Sequence, residues 1–559
     1  MIDFLSEEYI DFTVPYNAST RQRIKDVPFI EICKVLEGGY AVMYVPRANL
    51  DEFFATVGGN LLTFLPIIQG LMGRIDLEAS GILAVQNLPY LNLEGQDVLL
   101  GFVDTGIDYT SNAFRYEDGS SRIAAIWDQT IQGNPPADYC YGTEYTQEEI
   151  NAALRLEDPH SAVPHRDTVG HGTFLASVAG GRENGEVIGA APAAELLVVK
   201  LTKAKQFYRD YFLVPESQEN AYSSSDVMMG VDYLVNKAVE LGKPIAISIG
   251  LGSNFSGHHG YNVYPRYLSN IAAQGDVFVA VAAGNESNAK HHMMGSVTQD
   301  GNTDIEIHSG EHEQGFLVII STYISDRVSV SITSPLGETV NRILPEPGLI
   351  AETRLRLENT TVIVDYYYPL TTTGNQITNV RLISPTPGIW TITVHGDRIL
   401  NGEFHAWLPI TGFIDHETVF LLPNPYYTIT SPATASGVIT CGAYSAINKS
   451  LYVSSSWGPD IFSVQLPDFV APGVNVMGVY PWGYGSMSGT SVSTAITAGA
   501  GALMLQWGSS NNLHWNTSNV RSYLIYGCTR RPGFTYPNYQ WGYGELNLMR
   551  AFEFMREIP

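Results

Sequence analysis

The sequence predicts an α/β protein in which a parallel sheet is interrupted by an all-β insertion. Two observations indicate this class: uniformly apolar runs alternate with a helical pattern in the first half of the chain, and a later stretch contains only short strands. A length of 559 residues exceeds one ordinary domain, and 45% hydrophobic with 16% charged residues is typical of a folded globular protein. The chain is therefore expected to fold into several structural units.

Residues 27 to about 86 are expected to form a small α+β unit. Residues 29–32 and 40–45 have the apolar, β-branched composition of strands and stand on either side of a glycine pair. A helix is predicted to begin near residue 49, where Asn49 or Asp51 can cap its first turn.

Four later runs are apolar throughout, which is expected of strands buried on both faces of a parallel sheet. They are residues 98–103, 196–199, 245–249 and 277–281. A helix is predicted over residues 226–241, where apolar residues repeat at helical spacing behind a serine-rich cap. This alternation of strand and helix patterns predicts an open α/β sheet.

The alternation of strands and helices stops near residue 299. From residue 304 to about 421, β-branched residues occur in short alternating segments separated by turn residues. The clearest segments are residues 316–320, 328–332, 361–364 and 390–394. This stretch is expected to be an inserted sandwich or jelly-roll-like module. The α/β pattern then returns and ends in a helix of small residues over 492–505.

The net charge of −25, from 31 basic and 56 acidic residues, disfavours binding to nucleic acid and to anionic membrane surfaces. No apolar run reaches the roughly 18 residues needed to span a bilayer, and the N-terminus is acidic where a secretory signal would be basic. The sequence therefore predicts a soluble chain that is made in the cytoplasm without a standard export signal and has no membrane partner.

The four cysteines are Cys33, Cys140, Cys441 and Cys528. They lie far apart and form no Cys-x-x-Cys pair, so the spacing indicates neither a zinc site nor a disulfide framework. Unpaired cysteine usually behaves as a small apolar residue, and buried free thiols are therefore predicted.

Three short segments combine glycine with a group that could take part in catalysis. Asp104 follows the predicted strand at 98–103, and α/β proteins place their sites at the carboxyl ends of strands. His171 opens a glycine-bracketed turn, and an imidazole that titrates near about 6.5 can take up a proton and return it. Ser491 stands at the amino end of the small-residue helix, which favours developing negative charge. Alone, each also has a structural explanation, as a turn residue, a packed histidine or a helix cap.

Together these segments resemble the subtilisin-like serine protease family. The order Asp, His, Ser is the order found in subtilisin, and the motifs VDTGID, HGT and SGTS match those around the family's catalytic residues. The resemblance implies that Ser491 attacks the scissile carbonyl, that His171 relays the proton and that Asp104 fixes the histidine tautomer. It also implies a protein substrate and no cofactor or catalytic metal.

A fourth segment, residues 281–287, matches the family's oxyanion sequence. The resemblance implies that the Asn285 side-chain amide and the Ser491 backbone N–H hold the tetrahedral intermediate. The substrate-lining residues that it implies are Gly250, Leu251, Gly252, Ala283 and Gly284. The alternative register, with residues 248–250 at the pocket, stays open, and in either register glycine permits close approach of a peptide strand.

The β-rich insertion, the missing export signal and the motifs over residues 215–226, 251–254 and 257–260 together resemble the Csp proteases of clostridial spore germination. This branch implies an N-terminal propeptide over residues 1–86, a catalytic domain over 87–298 and 425–559, and a jelly-roll-like insertion over 299–424. The propeptide is expected to assist folding, to be cut by the protease itself between Gln86 and Asn87, and to remain bound with residues 84–86 in the active-site cleft.

In that branch the protease cleaves the precursor of a cortex-degrading hydrolase, and the same role, with packaging in the spore, is expected here. Two alternatives stay open. Some members of the branch have lost their catalytic residues, so the chain could be a non-catalytic pseudoprotease regulator. A general degradative protease fits the same motifs.

Overall fold

The N-terminal part of the chain folds as a three-stranded antiparallel sheet packed on two helices. The computed structural model describes residues 4–557 except 5, 59–63, 65, 67, 70–76, 89–90, 92, 183–187, 257, 347, 369–374 and 461–463. The first elements are β1 (Tyr9–Pro15), α1 (Ala18–Ile24), β2 (Glu31–Leu36), β3 (Tyr40–Pro46), α2 (Leu50–Val57), β4 (Ile68–Gln69) and α3 (Ile82–Gln86). The sheet order is β1-β3-β2. The sequence did not predict β1, whose Phe12 stacks on Phe53 of α2 at 5.0 Å.

The next part of the chain alternates strands and helices. Its elements are β5 (Leu99–Asp104), β6 (Ile123–Asp128), β7 (Thr143–Thr146), α4 (Gln147–Ala153), α5 (His171–Gly180), β8 (Glu195–Lys200), α6 (Gln206–Phe212), β9 (Tyr222–Ser223), α7 (Ser224–Leu241), β10 (Ile245–Ile249), α8 (Val263–Ala272) and β11 (Val277–Ala282). The four predicted apolar runs coincide with β5, β8, β10 and β11, and the predicted helix with α7, so these predictions are confirmed.

A β-rich insertion follows, built as two antiparallel sheets. Its strands are β12 (His292–Ser296), β13 (Asn302–Ser309), β14 (Gly315–Thr322), β15 (Arg327–Thr333), β16 (Thr339–Ile343), β17 (Ile350–Arg354), β18 (Thr361–Tyr367), β19 (Gln376–Ile383), β20 (Gly388–Arg398), β21 (Glu403–Trp407) and β22 (Val419–Phe420). The sheet orders are β12-β21-β14-β19-β18-β17 and β16-β15-β20-β13-β22. The four predicted strands lie within β14, β15, β18 and β20. Their inward residues, such as Val318 and Trp390, form one shared core.

The last part of the chain returns to strands and helices. Its elements are β23 (Ile439–Tyr444), β24 (Phe469–Pro472), β25 (Val476–Tyr480), β26 (Gly483–Met487), α9 (Thr490–Ser510), α10 (Thr517–Gly527) and α11 (Leu548–Glu557). The central sheet has the order β24-β23-β11-β10-β5-β8-β6-β7, in which only the edge strand β7 is paired antiparallel. The open α/β sheet predicted from the sequence is therefore confirmed.

Residues of β5 alternate between two hydrophobic cores. Leu100 and Phe102 face the core that includes α5 and α9, whereas Leu99 and Val103 face the core that includes α7 and α8. Small residues let α9 approach the sheet closely, because a Cβ at Gly501 would lie 2.3 Å from the Phe278 ring. The helix that carries Ser491 is thereby fixed against the centre of the sheet.

Cys33 and Cys140 form a disulfide, so the prediction of free thiols was wrong for this pair. Their Cα atoms are 5.3 Å apart although 107 residues separate them in the chain. The pairing arises because β2 of the N-terminal sheet docks against the connection between β6 and β7, a contact that cysteine spacing alone cannot reveal. Cys441 and Cys528 are free and buried, as predicted.

Within the described ranges, no helix combines the length and the apolar character that crossing a membrane would need.

Candidate active site

The carboxyl edge of the central sheet brings Asp104, His171 and Ser491 together. Asp104 is the last residue of β5, His171 is the first residue of α5, and Ser491 lies in the first turn of α9. All three residues are buried, with 2%, 4% and 0% of their surfaces exposed. Groups that are 67 and 320 residues apart in the sequence thus share one buried site.

The three side chains form a continuous series of hydrogen-bonding contacts. His171 Nδ1 lies 2.8 Å and 3.0 Å from the two Asp104 carboxylate oxygens, and His171 Nε2 lies 3.3 Å from Ser491 Oγ. An ionised carboxylate only accepts hydrogen bonds, so Nδ1 carries the ring proton and Nε2 can accept from the hydroxyl. A histidine in this state can take the serine proton.

Glycines allow α5 to begin against β5. Gly170 precedes the helix with φ of 84°, in the left-handed region that favours glycine. A Cβ at Gly172 would lie 2.2 Å from the Gly106 carbonyl oxygen and 3.2 Å from Asp104 Cβ. Glycine at position 172 is therefore what permits the histidine to stand beside its carboxylate.

A buried carboxylate fixes the turn before His171. Asp167 Oδ1 accepts hydrogen bonds from the backbone N–H groups of Val169 and Gly170, at 3.1 Å and 2.7 Å. Its Oδ2 accepts from the Thr173 backbone N–H at 2.9 Å and from the Thr173 hydroxyl at 2.7 Å. Sequence reasoning missed this residue, although an aspartate shortly before a helix is a capping signal.

Asn285 lies in the loop after β11, next to the start of α9. Its side-chain Oδ1 accepts hydrogen bonds from the Thr490 backbone N–H at 3.1 Å and from the Thr490 hydroxyl at 3.2 Å. A backbone N–H only donates, so this contact identifies the oxygen end of the amide and leaves Nδ2 as the donor end. Thr490 Oγ1 also accepts from the Gly284 N–H at 3.1 Å, which ties this loop to the helix that carries Ser491.

Gly250 contacts the site directly. A Cβ at this position would lie 2.8 Å from Ser491 Cβ and 3.3 Å from His171 Cε1, so a larger residue would have to displace one of them. Gly284 has φ of 112°, and a Cβ there would lie 2.7 Å from Ser456 Oγ. Both predicted glycines therefore occupy positions that exclude a side chain.

The other three predicted substrate-lining residues lie on the same two segments. The side chains of Leu251 and Ala283 are fully buried in the core beneath α7 and α8, so only their backbone could meet a substrate. Gly252 precedes Ser253, which bridges the backbone of Ser431.

The insertion reaches the surface beside Asn285. A cavity of about 780 Å³ is lined there by Asn285, by Glu286 and by Thr411 of the insertion, among others. Glu286 is buried, lies 2.7 Å from His291 Nδ1 and accepts a hydrogen bond from the Thr411 N–H at 3.0 Å. These contacts anchor the connection between β21 and β22 next to the candidate oxyanion residue.

A second buried aspartate–histidine pair lies near the first, and sequence reasoning missed it. His165 Nδ1 lies 2.6 Å from Asp128 Oδ2, and His165 Nε2 accepts a hydrogen bond from the Ile107 N–H at 3.2 Å. Burial alone would raise the pKa of the Asp128 carboxyl, but the contacts with His165, Lys200 and Thr130 together outweigh it, and the pKa is lowered. The pair braces the loop that follows Asp104.

The short edge strand β9 connects the site with the N-terminal part of the chain. Ile68 of β4 pairs with Ser223, and Gln69 pairs with Tyr222, in antiparallel register. Burial raises the pKa of Tyr222, and the negative charges of Asp104 and Asp167 raise it further, so Tyr222 lies within electrostatic reach of the site. An extended N-terminal segment therefore pairs with β9, whose Tyr222 feels the charge of Asp104.

This pairing corrects the expectation that residues 84–86 occupy the cleft. These residues belong to α3, whose Ile82 and Val85 are fully buried and which packs against α11. Gln86 Nε2 donates hydrogen bonds to the Gly189 and Ala190 carbonyls, at 3.1 Å and 2.8 Å. A peptide that binds by strand addition must be extended, so a helix at Gln86 and Asn87 does not fit that cleavage site.

In the residues that the structure describes, no group of three or more histidine, cysteine, aspartate or glutamate side chains could hold a metal ion.

The subtilase family model, Peptidase_S8, matches residues 95–335 and 423–544, which is more than half of the chain. The unmatched stretch between them falls within the insertion. The structure of the CspB protease of Clostridium perfringens is similar, with a TM-score of 0.76 and 31% sequence identity. The similarity covers 86% of this chain and 99% of that chain.

Curated relatives give the same family. Pyrolysin of Pyrococcus furiosus is 27% identical over 162 residues, which are 23% of this chain and 12% of pyrolysin. Subtilisin-like protease SBT1.9 of Arabidopsis thaliana is 22% identical over 482 residues, which are 77% of this chain and 59% of that protein. The chain thus spans less than two thirds of either relative. With the family model and the CspB similarity, these matches establish that the chain belongs to the subtilase family of subtilisin-like serine peptidases.

Proposed function

We propose that this protein is an active serine endopeptidase. The observation that carries the proposal is the contact from the Asp104 carboxylate through the His171 ring to the Ser491 hydroxyl, at 2.8 Å and 3.3 Å. Ser491 Oγ bonds to the substrate carbonyl carbon while its proton passes to His171 Nε2. His171 then gives that proton to the departing amine, and the C–N bond breaks to leave an acyl-enzyme. A water molecule then gives a proton to His171 and attacks the acyl-enzyme, which releases the carboxylic acid product and restores the Ser491 hydroxyl.

Asp104 acts on the histidine and not on the substrate. Its carboxylate accepts from His171 Nδ1–H, which leaves Nε2 unprotonated and able to act as the base, and it stabilises the imidazolium that forms. The Thr105 N–H donates to Asp104 Oδ1 at 2.7 Å and helps to hold the carboxylate in this orientation.

The negative oxygen of the tetrahedral intermediate needs hydrogen-bond donors. We assign this role to Asn285 Nδ2 and the Ser491 backbone N–H, because Thr490 already holds the opposite end of the Asn285 amide. Loss of one such donor costs about 10²-fold to 10³-fold in kcat, the effect known for subtilisin. Asn285→Ala is expected to lower kcat by this factor with little change in KM.

A fluorophosphonate probe tests the proposal. It should label the wild-type protein at Ser491 and leave Ser491→Ala unlabelled, because only a serine activated by a base reacts with it. A folded wild-type protein that resists labelling even after its N-terminal domain has been removed would favour the pseudoprotease alternative.

We also propose that the N-terminal domain is a propeptide that the protease cuts. The support is the pairing of β4 with β9, which holds residues 68–69 extended against a strand whose Tyr222 feels the charge of Asp104, whereas residues 84–86 are helical. The cut is accordingly expected within the few residues after Gln69, which lie outside the described part of the chain.

Mass spectrometry of the purified protein tests this cut. A new N-terminus shortly after residue 69 is expected in the wild type, and an uncut chain in Ser491→Ala. Normal cutting of Ser491→Ala would mean that another protease makes the cut.

The physiological substrate is proposed to be the precursor of a cortex-degrading hydrolase in germinating spores. The support is the similarity to CspB, which covers 86% of this chain and 99% of that chain. An activating protease should cleave a narrow set of sequences in a peptide library, whereas a degradative enzyme should cleave a broad set.

A further inference from the structure

The Cys33–Cys140 disulfide joins the two parts of the chain that the proposed processing separates. Cys33 lies in β2 of the N-terminal sheet, and Cys140 lies in the catalytic domain between β6 and β7. A cut shortly after Gln69 breaks the backbone between these two residues. The two fragments would still be joined covalently through the sulfur atoms.

One buried carboxylate aligns the neighbours of both cysteines. Asp232 of α7 lies 3.8 Å from Lys34 Nζ, which follows Cys33, and accepts a hydrogen bond from the Tyr139 hydroxyl, which precedes Cys140, at 2.9 Å. Lys34 Nζ also lies 4.3 Å above the Tyr139 ring. The Glu37 N–H donates to the same carboxylate at 3.3 Å. The disulfide therefore sits in a specific interface between the two domains.

We propose that this disulfide is a covalent tether that keeps the N-terminal domain on the catalytic domain after processing, and that reduction by a dithiol is needed to release it. The inference rests on the proposed self-processing. A tethered fragment rebinds at the high effective concentration that its link imposes, so it continues to cover the edge strand β9 even in dilute solution. Cutting alone would then leave the protease latent.

Release requires thiol–disulfide exchange with a dithiol reductant. One thiolate of the reductant attacks a cysteine sulfur, forms a mixed disulfide and expels the other cysteine as a thiolate, which takes up a proton. The second thiol of the reductant then attacks the mixed disulfide and frees the first cysteine. Two electrons and two protons pass to the protein, and the reductant becomes a disulfide.

The interface leaves a cavity next to the chain neighbours of both cysteines. Lys34 and Tyr139, the chain neighbours of the two cysteines, line a cavity of about 580 Å³ together with Asp138 and Asn236. The other two cysteines do not compete for the link. Cys441 and Cys528 are buried in the catalytic domain, and burial raises the pKa of the Cys441 thiol to about 11 and raises that of Cys528 as well.

The bond itself can be tested without any processing. Unreduced Ser491→Ala, denatured and alkylated with iodoacetamide, is expected to expose two thiols, those of Cys441 and Cys528, out of four cysteines. Alkylation of all four would overturn the proposal. Because this variant is not expected to cut itself, the result is independent of the proposed processing.

The tether is tested on the processed wild-type protein by electrophoresis. Without reductant the cut protein should migrate as one band of full-length mass, and with dithiothreitol it should separate into two fragments. Two fragments without reductant would overturn the proposal. A single band under both conditions, with two thiols still alkylated, would mean that processing had failed while the disulfide had formed. Limited digestion with trypsin, whose specificity includes the bond after Arg74, would then replace self-cutting. The proposal still requires that the tryptic fragments stay joined without reductant and separate with it.

The regulatory effect is tested with a matched pair of variants. Dithiothreitol should raise the activity of dilute, processed wild-type protein and of Cys441→Ser, but not of Cys33→Ser, which is already untethered. The apparent affinity of the N-terminal fragment is expected to fall by about 10²-fold to 10⁴-fold when the tether is lost. Equal activity of oxidised wild type and Cys33→Ser at all dilutions would contradict the proposed latency.

Discussion

Two buried aspartate–histidine pairs lie one strand apart at the edge of the central sheet, and only one of them faces a nucleophile. Asp104 and Asp128 occupy equivalent positions on either side of Lys200, at the ends of β5 and β6. In each pair a histidine Nδ1 contacts the carboxylate, at 2.8 Å and 2.6 Å. The outer nitrogen of His171 lies 3.3 Å from the Ser491 hydroxyl, whereas that of the second histidine accepts from a backbone N–H at 3.2 Å.

The difference between the pairs shows that a buried aspartate–histidine contact is not by itself catalytic. Both histidines are held with Nδ1 protonated, so both have a basic outer nitrogen. The group that contacts this nitrogen decides the role of the pair. The Ser491 hydroxyl can give its proton to the histidine as it attacks a substrate, whereas the Ile107 N–H only holds a loop in place. The first pair is proposed to do chemistry and the second to position the first.

The largest effect is expected from removing each imidazole in turn. His171→Ala should lower kcat by about 10⁶-fold, the size of effect known for loss of a serine-protease base. His165→Ala removes an equally buried ring but should lower kcat by only about 10²-fold, because it misplaces the loop after Asp104 without removing the base. Turnover of a peptide substrate measures both values. Equal losses in two folded variants would mean that the pairs do not differ as proposed.

A smaller contrast is expected when each carboxylate becomes an amide. In Asp104→Asn the new NH₂ group can donate to His171 Nδ1, which moves the ring proton to Nε2 and lowers kcat by about 10⁴-fold. In Asp128→Asn the same change sets Nε2–H of the second histidine against the Ile107 N–H, two donors that repel. That loss is expected to be about 10²-fold at most. A larger loss in Asp128→Asn than in Asp104→Asn would reverse the assignment.

The first pair could be predicted from the sequence and the second could not, for physical reasons. Asp104 and His171 stand in motifs whose glycines are required by close approach, such as Gly172 against the Gly106 carbonyl. His165 and Asp128 have no such local requirement, since their contact depends on how β6 and the connection before α5 pack together. A local motif can reveal where two backbone segments must approach closely, because it shows the glycines that this requires. It does not reveal which distant segments pack together.

The same distinction separates the predicted and unpredicted parts of the fold. The strands of the central sheet were predicted because uniform burial requires a continuous apolar run, as in β5 and β11. The sequence predicted that the N-terminal domain stays bound, but not which segments make the contact, so the Cys33–Cys140 disulfide and the pairing of β4 with β9 were missed. In each of these contacts, neither segment carries a local sequence pattern that indicates its partner.

The positioning role of His165 can be separated from a merely structural one by a conservative rescue. His165→Gln carries a side-chain oxygen that can accept from the Ile107 N–H, whereas His165→Ala leaves that donor unpaired. His165→Gln should therefore recover about tenfold of the kcat that His165→Ala loses, with KM unchanged in both. Parallel changes in KM and kcat, or no recovery in a folded glutamine variant, would contradict a role in positioning Asp104.

The smallest expected effect concerns a buried carboxyl that has no histidine partner. Asp226, at the start of α7, lies near Asp11 of the N-terminal sheet and accepts a hydrogen bond from the Tyr141 hydroxyl. Burial and the Asp11 charge raise the pKa of Asp226 to about 8, against the Tyr141 hydrogen bond and the Lys205 charge, which lower it. The pKa of the Asp128 carboxyl, which has a histidine partner, is lowered instead.

The sign of each pKa shift fixes how stability depends on pH. A raised carboxyl pKa means that the folded protein holds a proton that the unfolded chain releases, so the stability that Asp226 contributes is lost as pH rises from about 4 to about 8. Asp128 contributes stability that is lost as pH falls below its ordinary pKa. The Tm of Asp226→Asn should therefore fall less between pH 5 and pH 8 than that of the wild type. The difference should be a few degrees, because the folded and unfolded states of the wild type differ by about one bound proton over this range. Identical Tm profiles would mean that this carboxyl is already ionised beside Asp11, and that burial without a histidine does not distinguish it from Asp128.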